Sequence, residues 1–328
     1  MAKVLAASLS FCKYSMNQKP GEILKAAGVE VELSNKGKPL TEAELLSVIE
    51  NYDGIIVGTD PMTAEVIKKG QNLKIIAKNG VGYDNIDLKT ATEQQVYVTF
   101  TPGAVEQTVA DSTFALILSL ARNITQGNAS IRKGEWPRLV GMDIWSKKLG
   151  IIGLGRIGKN VVVRAKGFNM DVCAYDPFAD RAFCEQYGVQ LVDLDDLFRT
   201  SDIVTLHAPS IESTRHIVNA STLSLMKPDA LLINTARGEL VDEEALYYAL
   251  KEKKIAGAAI DVFSKEPPQR DLLLFELENV ILTPHLSGYS RDAIASMGTM
   301  VAESIVAACR GETPPHVVNK ELIVPVNV

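Results

Sequence analysis

Gly153-Leu154-Gly155-Arg156-Ile157-Gly158 is the stretch whose context decides the fold of this chain. It follows an apolar strand-like run at 149–152 and opens an apolar segment of helical character. Such glycines have separate tasks: a tight turn, close backbone approach to a pyrophosphate, and close packing of helix on strand. The helix N-terminus then faces the phosphates with unpaired N–H groups. Tyr175-Asp176 closes the next strand-like run, 170–175. A carboxylate there accepts hydrogen bonds from ribose hydroxyls and repels a 2′-phosphate, so the expected cofactor is NAD rather than NADP. Gly153 through Lys159 also fits a phosphate loop, but that loop needs Ser or Thr next to hold magnesium, and Asn160 follows.

Outward from this stretch, the chain alternates. Strand-like runs at 149–152, 170–175, 203–206, 231–234, 256–260 and 280–282 make a six-stranded nucleotide-binding fold. An earlier series at 4–9, 29–33, 54–57, 73–77 and 96–99 is separated by helix-like runs at 21–27, 42–51 and 64–69. Thr41 with Glu44 reads as a capping box. Alternation of this kind implies a parallel sheet covered by helices. An apolar helix at 110–121 joins the two series, followed by a more polar extension at 123–146 that holds both tryptophans, Trp136 and Trp145. One last helix at 291–310 is too short to be a domain and is expected to pack back on the first sheet. The expected fold is therefore α/β with two Rossmann-like or flavodoxin-like parallel-sheet lobes. The second lobe, at 101–285, is inserted in a discontinuous first lobe at 1–100 and 286–328. Crossings near Thr101-Pro102 and Thr283-Pro284 would form a hinge.

With 328 residues, 46% of them apolar, the chain can fill two cores. A net charge of −6 without a basic block argues against nucleic acid and anionic membranes as partners. Cys12, Cys173, Cys184 and Cys309 lack metal-ligand spacing, so no metal is expected and inert thiols are. The N-terminus runs straight into a strand without a signal peptide, and no apolar run reads as a bilayer span, so a cytoplasmic location is expected.

A dinucleotide enzyme needs an acid or base beside its hydride partner. Of the four histidines, His316 lies in a polar tail and His216 in a loop. His207 ends the strand at 203–206 as a candidate wall residue. His285 follows the last strand through Thr283-Pro284 and is the best acid/base candidate. Three charged residues end strands on the same edge. Arg237 can grip a carboxylate or keto group with two parallel N–H bonds. Asp261 and Glu266 are carboxylates, and one beside a histidine orients it and favours the imidazolium.

Thr235-Ala236-Arg237-Gly238, Asp261-Val262-Phe263 with Glu266-Pro267, and Thr283-Pro284-His285 stand in order after the glycine motif. In this set the chain resembles the D-isomer-specific 2-hydroxyacid dehydrogenase family, nearest its phosphoglycerate-dehydrogenase-like branch, over almost its whole length. The resemblance implies that His285 is the acid/base, tuned by Glu266, and that Arg237 binds the substrate's carboxylate and carbonyl. Asp261 would hold the nicotinamide carboxamide. Gly153, Gly155, Arg156, Ile157 and Gly158 would lie along the pyrophosphate, with Asp176 on the ribose. His207, Pro209, Thr214, Thr235 and Gly288 would line the rest of the cofactor pocket. Asn79-Gly80-Val81-Gly82 resembles the substrate loop, whose backbone N–H groups receive a carboxylate, and the extension at 123–146 resembles a dimerisation arm. Glycines after a strand do expose N–H groups to an anion.

Some positions depart from the family pattern. Val105 stands where Asn is usual, and Ser210-Ile211 replaces Leu-Thr. Lys78 stands where phosphoglycerate enzymes often carry Arg, and keeps a distal anion in view. Gly58 stands where some carry a second phosphate-binding Arg, which weighs against 3-phosphoglycerate. The sequence ends shortly after Pro325, and regulatory C-terminal domains of the kind some phosphoglycerate dehydrogenases add are not expected. The function these readings imply is NAD-dependent interconversion of a D-2-hydroxy acid and a 2-keto acid by a homodimer. The enzyme would be either a D-3-phosphoglycerate dehydrogenase or a glyoxylate/hydroxypyruvate reductase. The rivals are formate or phosphite oxidation, which Glu266 in place of Gln disfavours for formate, and a corepressor-like protein that senses NAD(H) without turnover.

Overall fold

Twelve strands carry the fold in a computed structural model that describes residues 1–322. Two compact units divide the chain: Met1–Val105 with Tyr289–Val328, and Glu106–Gly288. The divisions fall a few residues beyond Thr101-Pro102 and Thr283-Pro284. Residues 323–328, which the sequence reading assigns to the first lobe, lie outside the described residues.

The first unit contains β1 (Lys3–Ala6), β2 (Glu30–Leu33), β3 (Gly54–Val57), β4 (Ile75–Lys78) and β5 (Tyr97–Thr99). They form one parallel sheet in the order β2-β1-β3-β4-β5. β3 and β4 are buried at every position, which is why they read as unbroken apolar runs rather than alternating ones. The capping box at Thr41 is present: its hydroxyl accepts from Glu44 N, and the Glu44 carboxylate accepts from Thr41 N at 2.9 Å. The last helix, Arg291–Cys309, packs on this sheet through Val301, Ala302 and Ile305, none more than 1% exposed. Each fully buried Val or Ile stabilises the unit by roughly 1.5–3 kcal/mol, which ties the distant C-terminal segment to the N-terminal sheet.

Three local features differ from what the sequence predicts. β1 stops at Ala6 rather than Leu9, because Ala7 N and Ser8 N both donate to Ile56 O, at 2.8 and 3.0 Å, and the chain then coils into a helical turn at Phe11–Ser15. A short helix at Leu88–Glu93 was not expected; Asp87 caps it by accepting from Thr90 N at 2.8 Å. The helix Arg291–Cys309 is long and apolar enough by composition to cross a bilayer, contrary to the sequence reading, but half of it is buried inside the protein.

In the second unit β6 (Lys148–Ile152), β7 (Asp171–Tyr175), β8 (Val189–Leu191), β9 (Ile203–Leu206), β10 (Leu231–Asn234), β11 (Gly257–Ile260) and β12 (Val280–Leu282) form a parallel sheet. Their order is β12-β11-β10-β9-β6-β7-β8, the doubly wound arrangement in which the chain reverses direction beside its first strand. The sheet has seven strands, not six. β8 escapes the sequence pattern because it is a three-residue edge strand with only Val189 buried. The apolar helix Glu106–Ala121 covers the sheet, with Phe114, Ile117 and Leu120 in the core. The extension begins with a helix, Ile124–Arg132, that buries none of its residues.

Candidate active site

The glycine turn connects β6 to the helix Arg156–Gly167. Gly153 has φ +93°, and a Cβ there would meet His207 carbonyl carbon at 2.7 Å and Ala208 N at 2.6 Å. A Cβ on Gly158 would strike Gly153 O at 2.3 Å. Beside Gly155 the space is open, and Gly155 and Arg156 are exposed while Ile157 is half-buried. The turn therefore presents an uncovered helix N-terminus of the kind that binds a pyrophosphate. Asp176 directly follows the neighbouring strand β7. Its carboxylate accepts from Leu154 N and Phe178 N, both at 2.7 Å, so it also pins the turn.

His207 follows β9, directly against the glycine turn. Its Nε2 lies 3.0 Å from Thr205 Oγ1, while its buried Nδ1 has no partner among the described residues. Burial pushes its pKa down to about 3, so the ring is neutral near pH 7. A neutral ring with one unanswered nitrogen fits a pocket wall that hydrogen-bonds a dinucleotide. Thr214 instead secures its own turn, accepting from Ile211 N at 2.9 Å and donating to Pro209 O at 2.6 Å. Thr235 shares its hydroxyl with Thr113 at 3.1 Å. Pro209 is exposed and Gly288 half-buried.

The charged residues gather on loops at the carboxyl ends of β10, β11 and β12. His285 Nδ1 stands 2.7 Å from Glu266 Oε2. An ionised carboxylate only accepts, so Nδ1 donates and Nε2 is left for proton transfer. Glu266 Oε1 accepts from Phe263 N at 3.1 Å. Burial pulls the Glu266 carboxyl upward, but the hydrogen bond and charge of His285, the Phe263 amide and the Arg237 charge outweigh it, and its pKa lies below the usual value.

Asp261 is fully buried and clamps the histidine loop. Oδ1 accepts from Thr283 Oγ1 at 2.5 Å and Leu286 N at 2.9 Å, and Oδ2 from Ser287 N at 2.9 Å. His285 itself adopts φ +50°, an uncommon backbone for a non-glycine residue, and its N donates to Asp261 O at 2.8 Å. Arg237 sits on an extended backbone after β10. Asn234, absent from the sequence reading, shapes that turn by donating to Arg237 O at 2.8 Å and accepting from Ala236 N at 3.0 Å. Its only sequence signal is a polar residue at the end of an apolar strand.

Lys78, Asn79, Gly80 and Val81 belong to the first unit, at the carboxyl end of β4. Gly80 has φ +156°, and Gly80 and Val81 are half-exposed. Lys78 and Asn79 are buried. Lys78 Nζ donates to Gly58 O and to Asn85 Oδ1, at 2.5 and 2.9 Å, so its charge is turned into the protein. Among the described residues no group of three His, Cys, Asp or Glu side chains is placed to hold a metal ion. The four cysteines are free thiols, and burial pushes each one up in pKa.

Residues 114–287 match the family described as D-isomer specific 2-hydroxyacid dehydrogenase, NAD binding domain. The chain is 42% identical to a glyoxylate reductase of Korarchaeum cryptofilum, over 90% of this chain and 91% of that one. It is 46% identical to a D-3-phosphoglycerate dehydrogenase of Methanocaldococcus jannaschii, over 91% of this chain but only 57% of that protein. Its fold matches the crystal structure of D-lactate dehydrogenase from Aquifex aeolicus complexed with NAD and lactic acid, with a TM-score of 0.84, 27% identity and coverage of 97% and 99%. With the glycine turn, the His285–Glu266 pair and Arg237 in place on one sheet edge, the chain belongs to the D-isomer specific 2-hydroxyacid dehydrogenase family, as an NAD-dependent oxidoreductase of 2-hydroxy acids.

Proposed function

We propose that this protein reduces a small 2-keto acid to the D-2-hydroxy acid, with His285 as proton donor, Glu266 as its orienting carboxylate and Arg237 as the binder of the substrate's carboxylate and carbonyl. The observation that carries this reading is the 2.7 Å bond between His285 Nδ1 and Glu266 Oε2. It fixes the tautomer and directs Nε2, a group suited to proton transfer near neutrality. NADH, when bound, supplies the hydride. The Arg237 guanidinium stabilises negative charge developing on the keto oxygen, and Nε2 delivers its proton to that oxygen. In the reverse direction the neutral Nε2 accepts the proton from the hydroxyl. Taken by itself, the first unit offers the half-exposed turn at Gly80 and Val81 after β4, whose backbone N–H groups suit an anion. The names of the relatives support a keto-acid substrate of the glyoxylate or phosphohydroxypyruvate type. Turnover of NADH with glyoxylate, hydroxypyruvate, phosphohydroxypyruvate, pyruvate and 2-ketoglutarate tests the reading. Binding of NADH with negligible turnover on all five would make the protein a sensor instead.

The extension supports a homodimer. Trp136, Val140 and Trp145 are 78%, 92% and 62% exposed, and Ile124 and Ile131 are further exposed apolar side chains in this otherwise polar stretch. Apolar surface concentrated in this way marks an interaction site. A second copy of the chain is the proposed partner. Sedimentation at micromolar concentration is expected to give a dimer, and Trp136→Glu with Val140→Glu to give monomer; a monomeric unmodified protein would refute the assignment.

Cofactor preference should depend on Asp176. Asp176→Ala is expected to narrow the preference for NAD over NADP by about 10- to 100-fold, the scale of one charge–charge contact at intermediate dielectric. Equal use of NAD and NADP by the unmodified protein would contradict the role.

A further inference from the structure

We propose that the Thr283 hydroxyl is a positioning group for His285: bonded to Asp261, it fixes the backbone from which the imidazole projects, and proton transfer depends on it. This role rests on the reading of His285 as proton donor and names what holds that residue in place.

Packing does not hold the ring. The His285 side chain is 40% exposed and that of Glu266 29%. Among the described residues the ring's one polar contact is the bond from Nδ1 to Glu266 Oε2. That bond fixes one point of the imidazole. The other is Cα, so the backbone decides where Nε2 points. At His285 the backbone has φ +50°, a conformation that a residue other than glycine keeps only where its surroundings over-determine it.

Asp261 supplies those surroundings. β11 and β12 pair Ile260 with Leu282, so Asp261 and Thr283 leave the sheet side by side, and Thr283 N still donates to Ile260 O at 3.0 Å. Beyond them the amides of successive residues converge on Asp261. His285 N donates to its carbonyl at 2.8 Å, Leu286 N to Oδ1 and Ser287 N to Oδ2, the last two at 2.9 Å. Ser112, on the helix Glu106–Ala121, holds the far end by donating to Ser287 O at 3.1 Å. The converging amides belong to the main chain and survive any change of side chain at Thr283.

Before His285 the grip on Asp261 is a side chain's. Thr283 Oγ1 donates to Asp261 Oδ1 at 2.5 Å, the only side-chain donor to that carboxylate among the described residues. Pro284 follows, and its ring locks φ, so an anchor at Thr283 is passed on to the Cα of His285. A hydroxyl-to-carboxylate bond is of the stronger, charge-assisted kind. It lies inside the protein, where Asp261 is fully buried and an unanswered acceptor is costly. Without the hydroxyl the entry to the loop is released while the amides and Ser112 keep its exit. The consequence is a rotated His285 on a loop that remains folded. The same hydroxyl could serve the cofactor instead, since the family resemblance puts Asp261 at the nicotinamide carboxamide. The two roles part in a coupling test: a group that acts only through His285 has nothing to act on once the imidazole is gone.

The test is single-turnover reduction of the best of the five keto acids, with NADH affinity measured alongside, for the full chain and its variants. Those are Thr283→Val, Thr283→Ser, His285→Ala, and Thr283→Val combined with His285→Ala. Valine keeps the shape of threonine without the hydroxyl, and serine keeps the hydroxyl. Thr283→Val is expected to slow the reaction by about 10- to 100-fold, the scale of a misplacement of about 1 Å, with NADH affinity changed by less than about threefold. Thr283→Ser should recover most of the loss, and the double variant should be within about twofold of His285→Ala. Thr283→Val within about threefold of the unmodified protein, Thr283→Ser as slow as Thr283→Val, or a double variant slower than His285→Ala by the full factor would overturn the positioning role. NADH affinity reduced by the same factor as the rate would give the hydroxyl to the cofactor and overturn it as well. If Thr283→Val does not fold, Thr283→Cys, whose thiol is a weak donor, carries the same comparisons with a smaller loss. Near-normal turnover by His285→Ala would defeat the reading of His285 itself, whereas a slow His285→Ala beside a normal Thr283→Val defeats the positioning role alone.

Discussion

Replacing His285 by alanine is expected to slow keto-acid reduction by roughly 10²–10⁴-fold, the usual contribution of one general acid or base. Binding of NADH should survive, because the elements that suit the dinucleotide are the glycine turn after β6, Asp176 and His207, none of which uses the imidazole of His285. The loop itself should also survive, since it is held by Asp261 through Thr283, Leu286 and Ser287 rather than by the ring. Fluorescence titration with NADH beside single-turnover kinetics separates the two effects. Near-normal turnover by His285→Ala would mean that the ring only packs on its loop while solvent supplies the proton.

Arg237→Ala is expected to lower kcat/KM by roughly 10²–10³-fold, the loss typical of one preorganised group that stabilises developing negative charge. Arg237→Lys should recover little, because a planar fork matched to a carboxylate is replaced by a point charge. Part of the fork is already oriented: Nη1 donates to Ala236 O at 2.7 Å, and the Arg237 charge helps hold the Glu266 carboxyl below its usual pKa. A residue that only braces its turn would lower the melting temperature of the variant without raising KM. Steady-state kinetics set beside thermal unfolding distinguish the two.

Much of this arrangement is legible in the sequence because the second sheet is buried on both faces. Ile203–Leu206 and Leu231–Asn234 are mostly apolar and buried at every position, and they form strands with the expected bounds. The same rule fails for β8, whose three edge residues leave no apolar run, and for β1, where Leu9 extends the pattern past the point at which two amides share Ile56 O. The candidate acid and its carboxylate could be named because His285 follows the last strand-like run and Glu266 lies in the loop beyond the run before it, and the fold places them in contact. Partners within buried polar networks could not be named. Asn234 bonds its near neighbours Ala236 and Arg237, while Ser8 and Ser10 meet Asn79 and Asp60 meets Leu40 far along the chain, and none of these has a spacing signal. For Lys78, sequence alone could not show that its ammonium turns inward to Gly58 O and Asn85.

In the proposed reaction the His285–Glu266 pair moves the proton that accompanies hydride transfer. The Glu266 carboxyl is held below its ordinary value of 4.5 by contacts that outweigh its burial. It therefore stays charged through the neutral range, and whatever stability its contacts give is lost only as pH falls through that lowered value. The direct test is the pH dependence of reduction and oxidation on the same substrate pair, in the unmodified protein and in Glu266→Gln. Reduction, which needs the imidazolium, should fall as pH rises, while oxidation, which needs the neutral ring, should rise over the same interval. Glu266→Gln, which removes the carboxylate that accepts from His285 Nδ1, should alter both profiles. Profiles for the two directions that run in parallel, or profiles that Glu266→Gln leaves unchanged, would contradict the assignment.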